Sequence, residues 1–193
     1  MEKAILRAPV AGNMTVLANK FGKAFVEQDF TLPSGKPLKG GFVFMDSSSL
    51  NPVIVLPVTG KGEVVVVRQF RYCANEFIAE LPGGCGTQEE SAEDILRREL
   101  LEETGYEAGT LVRLGHPMWF EPVATRCRYH PYLALGCRQV AEPAPDEIEI
   151  MEIRLVPLGV WIAACTNGEV TDDKSVAVTM RALSHLGYLV TLG

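Results

Sequence analysis

The stretch LPGGCGTQEESAEDILRRELLEETGY, Leu81–Tyr106, decides how this chain folds. It is mostly polar and charged, yet apolar runs flank it: PVIVLPV at 52–58 and EVVVVRQF at 63–70 before it, YHPYLALGC at 129–137 after it. Its middle carries helix punctuation. Ser91 is a cap with Asp94 three residues on, strong helix formers follow, and Gly105 closes the end. At about 100° per residue, Glu99, Glu102 and Glu103 fall within an arc of about 100° that adjoins Leu96 and Leu100. Two carboxylates ~6 Å apart repel by roughly 3 kcal/mol at an effective dielectric of ~20. Arg98, four residues before Glu102, offsets a few tenths of a kcal/mol of that. Such a cluster makes sense on a helix that holds a hard divalent cation through oxygen ligands. Alone it reads as a solvated acidic face; the Gly-rich ELPGGCG ahead of it, at an expected tight turn, adds backbone oxygen and N–H groups to the same place.

TGKG joins the two apolar runs into an expected hairpin, and EFIAEL at 76–81 is a short strand. Upstream, strands around Ala24–Leu32 and Gly41–Met45 flank the turn-former PSGK. Downstream, strands are expected at TLVRLG (110–115), YHPYLALGC and EIEIMEIRLV (147–156), then helices at LGVWIAACTNG (158–168) and DKSVAVTMRALSHLG (173–187). Hairpins dominate, so the expectation is α/β with a mixed sheet between helices rather than a doubly wound parallel sheet. Residues 1–45 are expected as an N-terminal antiparallel β extension, a dimerisation element, and 46–193 as the main domain.

The chain has 193 residues and a formal charge of −6, with no basic stripe to neutralise phosphates, which argues against nucleic-acid binding. Five cysteines, odd in number and without zinc spacing, fit reduced thiols. No run reaches the roughly 18 apolar residues of a membrane span, and the first residues lack the apolar core of a signal peptide. A cytoplasmic protein that binds no membrane is expected.

Gly84, Glu90, Arg98, Glu99, Leu100, Glu102, Glu103 and Gly105 fit the pattern G-x5-E-x7-R-E-U-x-E-E-x-G-U, the Nudix box, with Tyr106 as the single departure at the final aliphatic position U. The chain is identified as resembling the Nudix hydrolases. VVRQFRY and ELPGG before the box, Pro122 sixteen residues past Tyr106, and NGEVTDDKSVAVTMRAL near the end resemble the ADP-ribose and nucleoside-diphosphate-sugar pyrophosphatase branch. The resemblance implies a Nudix α/β/α sandwich and a hydrolase that cuts a pyrophosphate with water and Mg²⁺, or Mn²⁺. It implies Glu99 and Glu103 as principal metal ligands, assisted by Glu102 and the Gly83 carbonyl, with Gly84 opening the box against the substrate.

Arg98 is expected to orient the carboxylates, paired with Glu90. The general base is expected in PAPDEIEIMEI (143–153), at Glu147 or Glu149, among the glutamates that alternation otherwise puts on a strand's polar face. Arg68, Arg71 and Glu80 are candidate substrate contacts; Phe70, Tyr72, Trp119 and Phe120 are candidates for base stacking, against a bland reading as core. The expected substrate is a small nucleoside diphosphate such as ADP-ribose, and a homodimer is expected. GDP-mannose or another sugar nucleotide is the alternative substrate, and a non-catalytic nucleotide-sensing module is the alternative of another class, disfavoured because every box glutamate is present.

Overall fold

The computed structural model describes residues 7–20, 22–146 and 148–187. In chain order the strands are β1 (Val10–Lys20), β2 (Lys23–Thr31), β3 (Pro37–Asp46), β4 (Leu50–Thr59), β5 (Glu63–Arg71), β6 (Glu76–Glu80) and β7 (Gly83–Thr87). Helix α1 (Ala92–Thr104) follows, then β8 (Tyr106–Glu107), β9 (Thr110–Arg113), β10 (Met118–Trp119), β11 (Thr125–Arg126), β12 (Arg128–Gln139) and β13 (Met151–Pro157). Helices α2 (Leu158–Asn167) and α3 (Asp173–Ala182) close the order.

The chain divides into two compact units. One takes the residues up to Leu50 together with Trp119–Cys127; the other takes Asn51–Met118 and everything from Arg128 on.

The first unit is built on a sheet of order β1-β2-β3-β11, antiparallel except for the β11–β3 pair. The expected hairpin about PSGK is β2–β3. Strand β1 was not foreseen, because VAGNMTVLANK shows no clean alternation, and in the structure all eleven of its residues are exposed. Its ladder partner in the sheet is β2.

In the second unit, β12 runs parallel to β4, β4 and β13 run antiparallel to β5, and β6 extends from β5. The sheet is mixed, as hairpin connections require. Val53 to Val58 and Val64 to Val67 are buried at consecutive positions, so both faces of these strands are covered. Ile95, Leu96 and Leu100 of α1 pack with Val53, Val55, Val65, Tyr132 and Ala134, one alternating set of side chains. The other set lies on the side of α2 and α3, where Trp161 Nε1 donates to Thr179 Oγ1 at 2.8 Å and Val178 and Ala182 are fully buried.

Helix α1 starts and stops where its caps require. Ser91 Oγ accepts from the Asp94 N–H at 3.1 Å, and Gly105, at φ 75°, donates its N–H to the Leu101 carbonyl. Two details differ from expectation. Gly83–Thr87 is not a tight turn but a strand, β7, laid on β4; the turn comes at Gln88–Glu90. A strand can run there because glycine permits close approach: a Cβ at Gly83 would lie 2.3 Å from the Val53 carbonyl oxygen. The expected strand from residue 147 begins only at Met151, since the Glu149 N–H and side chain both bond back to Asp146 and turn the chain.

Candidate active site

Helical spacing along α1 brings three carboxylates together in the helix's C-terminal half, and each is held differently. Glu103 is 6% exposed. Its Oε2 accepts from the Gly83 N–H at 3.0 Å. Burial pushes its carboxyl up to about 8, helped by the like charges of Glu99 and Glu149 and opposed by the Gly83 bond and Arg71. Glu99 is also raised, chiefly by burial, against the pull of Arg98. Its carboxylate lies over Gly84, where a Cβ would come within 2.1 Å of the carboxyl carbon. Only glycine leaves room for it there. Glu102 is half exposed and bonds Arg98 Nη1 at 3.0 Å.

Arg98 thus links Glu99 and Glu102, at 2.9 and 3.0 Å, with a further bond of 3.4 Å to the Cys85 carbonyl. Glu90 is not its partner, contrary to expectation. The Glu90 carboxylate accepts from the Thr87 N–H at 2.9 Å and closes the turn before α1. Among the described residues no three acidic, His or Cys side chains are gathered into a ready cation cage. The physical reason is visible: Arg98 draws Glu99 and Glu102 one way, and the Gly83 N–H draws Glu103 another. The donor set nevertheless fits a hard divalent cation. A nine-tenths buried carboxylate with one neutral hydrogen bond is a strong site for added positive charge.

The other expected site residues fall into two groups. Glu149 bonds back to Asp146, and its charge raises both Glu99 and Glu103. Glu147 lies outside the described residues. Arg71 and Glu80 bond each other rather than standing free: Nε and Nη2 reach the two carboxylate oxygens at 2.8 and 2.5 Å, with Glu80 4% exposed. Arg71 remains half exposed, and its charge reaches Glu103.

Arg68, three residues along the same strand, faces the opposite side of the sheet. There it bonds Glu152 at 3.3 Å and lies 4.8 Å over Phe77. Arg68 and Arg71 therefore do not converge, a consequence of strand periodicity that their spacing already contained. Phe70 packs edge-on against Tyr72 and Phe77, and Trp119 lines an apolar cavity of the first unit with Phe30, Phe42 and Phe44.

Two further features have no local signature in the sequence. Gln69 is buried on the Arg71 face, and among the described residues its Oε1 is the buried side-chain atom left without a hydrogen-bond partner. The segment Asp172–Ser175, at the start of α3, bonds to Leu81 just before the glycines. Neither position carries a signal in local pattern, since both depend on which strand or helix lies across from them.

The NUDIX domain profile matches residues 50–176. The chain is 32% identical over 161 residues to the ADP-ribose pyrophosphatase of Bacillus subtilis, covering 83% of this chain and 84% of that protein. It is 27% identical over 140 residues to the GDP-mannose pyrophosphatase of Pectobacterium atrosepticum, covering 67% and 70%. The crystal structure of an ADP compounds hydrolase superposes with a TM-score of 0.79 over 95% of this chain and 98% of that one; at 18% identity this shows the shared fold. The chain belongs to the Nudix family. Its activity class is that of a Nudix pyrophosphatase, an enzyme that hydrolyses phosphoanhydrides of small nucleoside diphosphate compounds.

Proposed function

We propose that this protein hydrolyses the pyrophosphate bond of ADP-ribose, with Mg²⁺ as the activating ion, giving AMP and ribose 5-phosphate. The observation that carries the reading is Glu103: a carboxylate buried beside Glu99 and Glu149 with too little positive charge to balance it. Glu99 and Glu103 are the proposed principal ligands, with Glu102 and the Gly83 carbonyl assisting. A divalent cation bound there supplies the charge that neutralises diphosphate oxygens and makes a water more acidic. Arg98 holds Glu99 and Glu102 in orientation. Gly84 keeps clear the space that Glu99 occupies.

Glu149 is the proposed general base, since its charge is felt at both principal ligands. It takes a proton from the water as the new P–O bond forms and the bridging P–O bond breaks. Arg71, tethered by Glu80 yet half exposed, is the better of the two arginines for a substrate phosphate. ADP-ribose stands ahead of GDP-mannose because the likeness to an ADP-ribose pyrophosphatase is both higher and longer. A screen of sugar nucleotides with Mg²⁺, reading phosphate after phosphatase treatment, should rank ADP-ribose first. GDP-mannose above it would overturn the substrate, and no turnover of any diphosphate would overturn the reaction.

The same proposal includes a homodimer built through the N-terminal region, residues 1–45. Strand β1 lies at a sheet edge with both faces in solvent and carries Val10, Met14, Val16 and Leu17 exposed, next to exposed Phe25, Phe42 and Val43. An eleven-residue apolar edge strand is a pairing surface unless something covers it. Light scattering at micromolar concentration should give twice the 21.1 kDa chain mass, and a monomer mass would count against it. Among the described residues no helix is long and apolar enough to cross a membrane. None of the five cysteines is in a disulfide, which suits a reducing compartment, and we place the reaction in the cytoplasm.

A further inference from the structure

We propose that Ser175, backed by Asp172 at the start of α3, is a positioning residue for the Glu103 cation site. The inference rests on the metal reading given above and extends it to a part of the chain with no role in that reading. Three consecutive residues ahead of α1 are each tied to a different element. Leu81 donates its N–H to Ser175 Oγ at 2.8 Å. Pro82 accepts at its carbonyl from the Val55 N–H of β4 at 3.0 Å. Gly83 donates its N–H to Glu103 of α1 at 3.0 Å. A single residue, Pro82, therefore separates the amide that Ser175 fixes from the amide that holds Glu103.

The Ser175 hydroxyl is committed at both ends. It accepts from Leu81 and donates to Asp172 Oδ2 at 2.7 Å, while that same oxygen takes the Ser175 N–H at 2.9 Å. An ordinary helix cap needs only the second of these bonds. The hydroxyl bond to the link between β6 and β7 is additional, and Ser175 is fully buried, so no water replaces it. Lys174 bonds Asp172, and its charge interacts with Glu80, the residue immediately before Leu81 and the tether of Arg71. The start of α3 thus grips Glu80–Leu81 from one side as Glu103 meets Gly83 from the other. With Ser175 Oγ gone, the Leu81 amide loses its acceptor, the segment turns, and the Gly83 N–H leaves Glu103.

The test compares metal binding, not turnover alone, in the full-length protein. Mn²⁺ binding by electron paramagnetic resonance and Mg²⁺ activation of ADP-ribose hydrolysis are measured for wild type, Ser175→Ala, Ser175→Thr, Glu103→Gln and Val178→Ala. Removing a partner behind a metal ligand typically costs about 10–100-fold in metal affinity or activity. Ser175→Ala should weaken Mn²⁺ binding about 10-fold or more and shift Mg²⁺ activation equally, with KM for ADP-ribose at saturating metal within about twofold of wild type. Ser175→Thr keeps the hydroxyl and should restore most of the affinity. Val178→Ala opens a cavity in the same helix without touching a polar group, and should lower Tm yet leave metal affinity unchanged.

Should Ser175→Ala fail to fold, Asp172→Asn keeps a competent cap but weakens the acceptor behind the hydroxyl, and should give an intermediate loss. Mn²⁺ affinity equal to wild type in the serine variant, or an equal loss in Val178→Ala, overturns the inference while leaving the cation site standing. Absence of Mn²⁺ binding in the wild type itself removes the metal reading and this inference with it.

Discussion

Glu103→Gln should lower kcat for ADP-ribose about 10³-fold without unfolding the protein. A metal ligand that carries several kcal/mol of charge stabilisation in the transition state corresponds to that factor, at 1.36 kcal/mol per tenfold. The companion effect on stability separates this variant from an ordinary damaging one. Glutamine keeps the shape and can still accept from the Gly83 N–H through its amide oxygen. What it removes is a buried negative charge that the fold itself barely compensates. Without divalent cation at pH 8.5, the variant should therefore melt at or above the wild-type temperature; with saturating Mg²⁺ the order should reverse. Wild-type turnover in the variant would sink the ligand assignment. A large drop in Tm without metal would show instead that the carboxylate is balanced by protein groups not identified above.

How much of this could be read in advance depends on the range over which each feature is encoded. The α1 helix was legible to the residue, because Ser91, Asp94 and Gly105 act within one turn of themselves. The central strands were legible because runs such as Val64–Val67 are buried on both faces whatever their neighbours. The acidic side of α1 followed from helical periodicity alone. The rest turned on competition between partners, some distant in the chain and some close. That Arg71 is tethered by Glu80 has no local signal, because their bond depends on β5 lying beside β6. The Arg98–Glu90 pair failed because Glu90 was taken by the turn it closes, a shorter-range competitor. The strand expected from Glu147 was cut short by the bonds of Glu149 to Asp146, which override alternation. Ser175 and Gln69 were invisible for the same reason: a buried polar side chain declares its purpose only through what faces it.

Removing divalent cation should make the protein's stability fall as pH rises from about 5 to about 8, and adding it back should abolish the slope. The sign follows from the direction of the Glu103 shift, from the ordinary 4.5 up to about 8. Between those values the folded protein holds a proton that the unfolded chain has released. Fewer protons are then bound in the unfolded state, so unfolding becomes easier with each added pH unit until the folded carboxyl itself ionises, beyond which the curve flattens. A shift of this size is worth up to roughly 5 kcal/mol across the window, enough to move Tm on the order of 10 °C in a domain of this size. Glu99, also raised by burial, adds to the same slope.

A bound cation stabilises the carboxylate form, so binding must expel the proton: close to one per site at pH 7, about half near pH 8, and none well above it. Titration calorimetry of Mg²⁺ at pH 7 in two buffers of different ionisation enthalpy reads that number directly. Glu103→Gln should release almost none. A metal-free protein whose Tm is level from pH 5 to 8, together with Mg²⁺ binding that frees no proton, would mean that Glu103 is already ionised in the folded state, and the compensating charge would then have to come from the protein and not from an ion.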